Sequence, residues 1–281
     1  MVYCGEDTIY CYDLSQDKWT TPLPSPPLKY FGLGQVSGKL VTVGGKNRHN
    51  EGTNEVYTYE ESLRSRRWKQ TIPPMPTARW SPSVLSLQSA LIVAGGTYSP
   101  SSTGQKSTAI VEIFKPDTSQ WYRTSGLPTA AHSDIALQLV AIGNTCYTLI
   151  STNFDQILYA SVDDLLHYAV PAATNQITHI ASRDTRSAWK ILCNTETYRQ
   201  SITVLAGNLL AIGGERFFGG KVYSPSAESW IYTSDLPTRL AGAAVAILSS
   251  TEILAIGGWI DCHEIVESVS SVYRGTLHLK L

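Results

Sequence analysis

Excess charge of one sign, paired cysteines and long apolar runs are what this 281-residue chain has least of. Basic residues number 22 against 23 acidic, a net charge of −1, so nothing global draws the chain to nucleic acid or to an anionic membrane. The five cysteines (Cys4, Cys11, Cys146, Cys193, Cys262) are odd in number and widely spread, with no CxxC pair. That excludes a disulfide framework and argues against structural zinc, leaving free thiols in a reducing compartment as the plainest reading. Glu6 and Asp7 fall where a secretory signal would be apolar, so no signal peptide is visible. Ile135 to Phe154 lacks charge, but Gln, Asn, Thr, Ser and Gly interrupt it, which speaks against a membrane span. Nucleophile-elbow, Walker and H-E-x-x-H motifs are missing. Asp261-Cys262-His263-Glu264 has metal-ligating side chains, yet neighbours in one strand or loop seldom converge on an ion, and no second ligand set accompanies them. Asp163-Asp164 with His167 reads as a solvated turn. The expectation is a soluble cytoplasmic chain with neither metal nor cofactor.

What the chain has is repetition. Leu40-Val41-Thr42-Val43-Gly44-Gly45, Leu91-Ile92-Val93-Ala94-Gly95-Gly96, Leu209-Leu210-Ala211-Ile212-Gly213-Gly214 and Ile253-Leu254-Ala255-Ile256-Gly257-Gly258 are four copies of one phrase. Each is an apolar run of strand length, buried on both faces, that stops at a glycine pair. Hydrophobic residues at 43% and charged residues at 16% suit a chain with a substantial core.

A polar loop, a Tyr- and Val-rich strand, a turn and a tryptophan follow the glycines. Glu55 to Tyr59 precedes Trp68, Ile110 to Phe114 precedes Trp121, Lys221 to Tyr223 precedes Trp230, and Thr8 to Asp13 precedes Trp19. Turn formers such as Lys115-Pro116-Asp117 separate strand from tryptophan. A proline corner comes next (Leu23-Pro24, Pro73-Pro74-Met75-Pro76, Leu127-Pro128, Leu236-Pro237), and a basic residue after it. From tryptophan to basic residue the spacing is 10 for Lys29, 11 for Arg79, 11 for His132 and 9 for Arg239. Trp189 with Arg199, 10 positions on, fills the remaining gap as a degenerate copy. In that copy Cys146 to Ser151 is a strand without Gly-Gly, Asp155 to Ala160 keeps the next strand, and Asp163 to His167 forms a helical turn.

Each repeat thus holds four strands, which argues for an all-β chain of propeller blades. The Gly-Gly…Tyr…Trp pattern resembles the Kelch repeat, whose blades run near about 50 residues, and the resemblance covers essentially the whole chain. It implies that the glycine pairs end the second strand and that Trp19, Trp68, Trp121, Trp189 and Trp230 pack between blades. The fold expected is a Kelch-type β-propeller forming a single domain over residues 1–281, with six blades of which the two terminal ones are incomplete. A five-blade ring completed by the last two strands is the alternative. Open ends invite edge pairing, so the chain reads as a fragment or as a ring whose ends pair.

The basic series Lys29, Arg79, His132, Arg199 and Arg239 precedes the first strand of successive blades, and equivalent corners should share one face. The resemblance implies partner binding there, since Kelch propellers that recognise acidic peptides line that face with arginines. Arginine grips carboxylates bidentately. The other reading is that each basic residue only bonds backbone carbonyls and steadies its own loop. Loops after the glycine pairs should open on the same face: Lys46 to His49, Thr97 to Ser99, Glu215 to Phe218 and Trp259-Ile260, with Phe217, Phe218 and Trp259 as apolar contacts. The function expected is therefore a non-enzymatic module binding an acidic or polar peptide of a protein partner. A link to ubiquitin-ligase adaptors is implied by resemblance alone. A Kelch-fold enzyme, a sialic-acid mutarotase or copper radical oxidase, is the alternative, because fold does not fix function.

Overall fold

A computed structural model of the chain describes residues 2–4, 8–62, 64–99, 106–128, 137–151, 155–167, 169–172, 188–194, 200–214, 218–237, 240–262, 265–268 and 272–278. Among them the chain is almost entirely β. β1 (Val2–Cys4), β2 (Tyr10–Asp13) and β3 (Lys18–Trp19) form a three-stranded antiparallel sheet in that order. β4 (Gly32–Val36), β5 (Lys39–Lys46), β6 (Gly52–Ser62) and β7 (Ser65–Lys69) make a four-stranded meander.

The next sheet is built from β8 (Ser83–Ser86), β9 (Leu91–Ala94), β12 (Val111–Lys115) and β13 (Gln120–Arg123). A small hairpin, β10 (Thr97–Tyr98) and β11 (Lys106–Ser107), leaves it beyond the glycine pair. In the degenerate copy come β14 (Gln138–Ile142), β15 (Thr145–Ser151), β16 (Asp155–Ser161), the helical turn α1 (Val162–His167), β17 (Val170–Pro171) and β18 (Lys190–Asn194). Strands 14, 15, 16 and 18 form its sheet, but β17 joins β13 as a fifth strand of the preceding one, with Tyr122 opposite Pro171 and Arg123 opposite Val170. The sequence offered no place for that segment.

β19 (Ser201–Leu205), β20 (Asn208–Ile212), β21 (Gly220–Ser224) and β22 (Ser229–Tyr232) repeat the meander. β23 (Ala244–Ile247), β24 (Glu252–Ile256) and β27 (Val272–Thr276) form a last three-stranded sheet, with a hairpin of β25 (Trp259–Cys262) and β26 (Ile265–Ser268) between. This is the four-strand blade pattern that the repeats foretold, down to the three-stranded sheets near either end.

The chain divides into two compact units. One comprises residues 1–137 and 160–190, the other 138–159 and 191–281. In the first, Val41, Val43, Val56, Met75, Leu91, Val93, Phe114 and Trp121 pack as one cluster, and Ile9, Leu23, Leu28 and Phe31 as another. In the second, Tyr147, Leu149, Ile157, Ile202, Leu209, Ala211 and Tyr223 form one cluster, and Leu210, Ile212, Leu240, Ile253 and Ala255 lie in another. Burial of these apolar runs, at roughly 25 cal/mol per Å², drives the sheets to stack.

The repeat tryptophans do more than fill space. Four of the five sit opposite the aromatic of the neighbouring strand: Trp19 on Tyr12, Trp68 on Tyr59, Trp121 on Phe114, Trp230 on Tyr223. Ring centroids lie 5.1 to 5.3 Å apart, within the range where tilted aromatic pairs attract. Trp68 and Trp121 also donate their indole N–H to the carbonyls of Pro24 and Pro73, both at 2.7 Å. The proline corner is thereby hooked to the outer strand of the blade it leads into. On the β19–β22 sheet Trp230 neighbours Cys193 of β18, whose thiol burial pushes up, with Lys221 and the Trp230 indole opposing the rise.

Candidate partner-binding site

The inner strands share one register. The residue just before each glycine pair faces the first residue of the inner strand: Val43 opposite Gly32, Ala94 opposite Ser83, Ile212 opposite Ser201, Ile256 opposite Ala244. Counting back four residues from Ser83 gives Arg79, but from Gly32 and Ala244 it gives Leu28 and Leu240. Lys29 corresponds to Trp80, as their bridges to Lys46 and Thr97 confirm. Spacing from the tryptophan had suggested one equivalent position. The corner between varies in length, so the basic residues occupy neighbouring steps of the corner instead.

Within the first unit, backbone bonds stitch successive corners together. Lys29 and Lys46 exchange N–H···O bonds at 2.9 and 2.7 Å, Gly45 N–H donates to the Arg79 carbonyl at 2.9 Å, and Ser81 N–H donates to the Tyr30 carbonyl. The corner carrying Lys29 and the loop after Gly44-Gly45 therefore meet. Gly44 has φ +60, and a Cβ there would lie 2.5 Å from the Arg79 carbonyl, so only glycine admits this approach. Lys46 holds its ammonium 4.4 Å from the Trp80 ring centroid and 5.7 Å from that of Tyr30. Beyond it, the Asn47 side-chain oxygen accepts from the N–H groups of His49 and Glu51, and Arg48 Nε donates to His49 Nε2. Lys29, Tyr30, Arg48 and His49 are exposed around this corner.

Arg79 lies differently. Its side chain is fully buried, and its Nη2 donates to Glu112 Oε2 at 2.9 Å and to the Val93 carbonyl at 3.3 Å. Glu112, also fully buried, accepts from Thr77 Oγ1 at 2.7 Å and pairs with Arg123 Nε at 3.3 Å. Burial pulls the Arg79 guanidinium below its ordinary value and the nearby Arg123 cation adds to that, while Glu112 opposes. An arginine stays charged regardless. Glu112 is the residue that sequence reasoning missed. Its position is taken by Tyr57, Lys221 and Tyr273 in the other glycine-paired sheets, so one blade alone of these four sets a carboxylate there. A charged residue in the run Val111-Glu112-Ile113-Phe114 was the available signal, because a buried charge must be paired.

His132, Arg199 and Arg239 lie outside the described residues, as do Phe217, His263 and Glu264. Phe218 is half exposed. Among the described residues no group of three or more His, Cys, Asp or Glu side chains converges as a metal site would, and no helix is long and apolar enough to cross a membrane. Cys11 and Cys146 are buried and Cys193 is partly exposed, none of them in a disulfide.

No protein-family model matches the chain. Kelch-like protein 15 of Mus musculus and that of Rattus norvegicus are each 29% identical to it, over 50% of this chain and 27% of theirs. Kelch-like protein 15 of Homo sapiens matches over the same shares at the same identity. The chain thus spans about a quarter of the length of the curated relatives it matches.

Proposed function

We propose that this chain, a β-propeller of Kelch-repeat type, is a non-enzymatic protein-binding module that takes an acidic or polar peptide on its loop corners. The observation that carries the reading is the two-way backbone bridge between Lys29 and Lys46, which joins a basic corner to the loop after a glycine pair. It gathers the ammonium of Lys46 and the exposed side chains of Lys29, Arg48 and His49 beside two aromatic rings. Cations with aromatic neighbours suit carboxylate-bearing peptides, which pair with the charge and pack on the ring. Of the five residues proposed from the sequence, Lys29, His132, Arg199 and Arg239 are assigned to partner contact. Arg79 is assigned to positioning, holding its corner from inside.

The test is capture of immobilised Glu-rich and Lys-rich peptides by the purified chain at low and high salt. Glu-rich peptide should be retained and released as ionic strength rises. Charge reversal at Lys29, Arg199 and Arg239 together should abolish retention with the melting temperature kept. Equal retention of both peptides, or retention untouched by the reversal, overturns the reading.

A further inference from the structure

Among the four glycine-paired sheets, two place a charge at the same step of the third strand. On β12 it is Glu112, which meets Arg79 and Arg123. On β21 it is Lys221, with Ala211 across on one side and Tyr232 on the other. Lys221 is 9% exposed, and among the described residues no carboxylate or carbonyl bonds its ammonium. Its Nζ lies 4.9 Å from the Trp230 ring centroid. A ring face attracts a cation but cancels no charge, so the ammonium lacks the counter-ion that a buried charge calls for. Cys193 lies beside this pair. It stands on β18, the last strand of the neighbouring sheet, is partly exposed, and packs with Trp230 against the cluster of Tyr147, Leu209 and Tyr223. Burial resists ionisation of its thiol, and Lys221 and the Trp230 indole both favour the thiolate. Cys146, 0% exposed and pushed up to about 12 by burial, has neither access nor such a cation beside it among the described residues.

We propose that Cys193 is a site of modification by hydrogen peroxide, and that Lys221 and Trp230 hold its oxidised, anionic form. The thiolate attacks one peroxide oxygen: the S–O bond forms, the O–O bond breaks, and the departing hydroxide takes up the proton the thiol gave, leaving as water. Sulfur is oxidised to the sulfenate and the peroxide is reduced. A second peroxide carries the sulfenate to the sulfinate in the same way. A neutral thiol leaves the Lys221 charge uncompensated. A sulfinate instead gives it a carboxylate-like counter-ion with two acceptor oxygens, one for the ammonium and one for the indole N–H. Oxidation would then supply on β21 what Glu112 supplies to Arg79 on β12. This site is independent of the peptide-binding reading above.

The test treats the full chain with hydrogen peroxide at pH 7 and reads each cysteine by mass spectrometry of its peptide, with dimedone to trap the sulfenate. Cys193 should reach the sulfinate ahead of Cys146. Lys221→Met should slow that oxidation about three- to tenfold, and Lys221→Arg should restore it. The chain oxidised at Cys193 should melt above the reduced chain, and Lys221→Met should reverse the sign of that shift. Equal oxidation rates with and without Lys221, or oxidation that lowers the melting temperature equally in both, overturns the proposal. A second comparison leaves Lys221 in place: Cys193→Asp, a permanent anion, should melt above Cys193→Asn, its neutral counterpart, at pH 7. A Cys193→Asp chain no more stable than Cys193→Asn equally overturns it.

Discussion

Replacing Glu112 by Gln removes the counter-charge of Arg79 while keeping the side chain's size. The guanidinium that remains is fully buried, and its Nε and Nη1 already lack hydrogen-bond partners among the described residues. Breaking one side of such a buried pair costs about 3–5 kcal/mol, because the surviving charge stays dehydrated and uncompensated. For a unit of this size each kcal/mol lowers the melting temperature by about 2–4 °C, so Glu112→Gln should melt roughly 10 °C early. Arg79→Met should cost a comparable amount by stranding the carboxylate, softened because Arg123 and Thr77 still reach it. Removing both charges in Arg79→Met/Glu112→Leu should recover most of the loss, since a buried pair exchanged for apolar groups of similar volume is often neutral. Arg123, about a third exposed, then turns to solvent. The assay is urea and thermal unfolding of wild type, both single variants and the double, read as a double-mutant cycle. A Glu112→Gln penalty under about 1 kcal/mol, or single penalties that simply add in the double, would refute the claim that these charges are coupled inside the sheet.

Gly213→Ala places a Cβ 2.0 Å from the Leu240 carbonyl at φ +70, whereas Gly143→Ala meets nothing within 4 Å at φ +55. The first should cost several kcal/mol and the second about 1 kcal/mol of backbone strain; equal losses on thermal melting would contradict the close approach. Trp121→Phe strands the Pro73 carbonyl and should destabilise by about 1–3 kcal/mol, while Trp19→Phe, at an open surface, should stay within about 0.5 kcal/mol. Burial pushes the Cys146 thiol up from 9.0 to about 12. The unfolded chain ionises that thiol first, so stability is whole below pH 9 and drains as pH rises toward 12; Cys146→Ala should flatten this loss, and a pH profile unchanged by the substitution would count against it. In native chain at pH 8, iodoacetamide should label Cys193 well before Cys146.

The fold was legible because repeats obey local rules. Apolar runs ending in Gly-Gly, strands containing Tyr and turns before Trp each name their place, and even the degenerate copy kept β15, β16 and α1 where spacing put them. The site was less legible, for two physical reasons. The stretch between tryptophan and inner strand varies in length, so counting from Trp68 or Trp230 aligned Arg79 with Arg239, although strand pairing matches Arg79 to Leu240. Burial depends on what faces a residue across the sheet: Glu112, 33 positions on, draws Arg79 inward, and no spacing rule announces that partner. The segment around Val170 was illegible because two residues pairing with a distant strand carry no period to detect.

That short segment fixes an order of events on the ribosome. The outer edge of β13 is complete by Arg123, but the residues that cover it, Val170 and Pro171, are made 47 and 48 positions later, with Ala172 bonding the Trp121 carbonyl behind them. At bacterial or eukaryotic synthesis rates of about 5–20 residues per second, a nascent chain holds that edge open for roughly two to ten seconds. The first unit therefore matures in two instalments, and the interval between them is when a chaperone, or a neighbouring nascent chain, meets an unfinished blade.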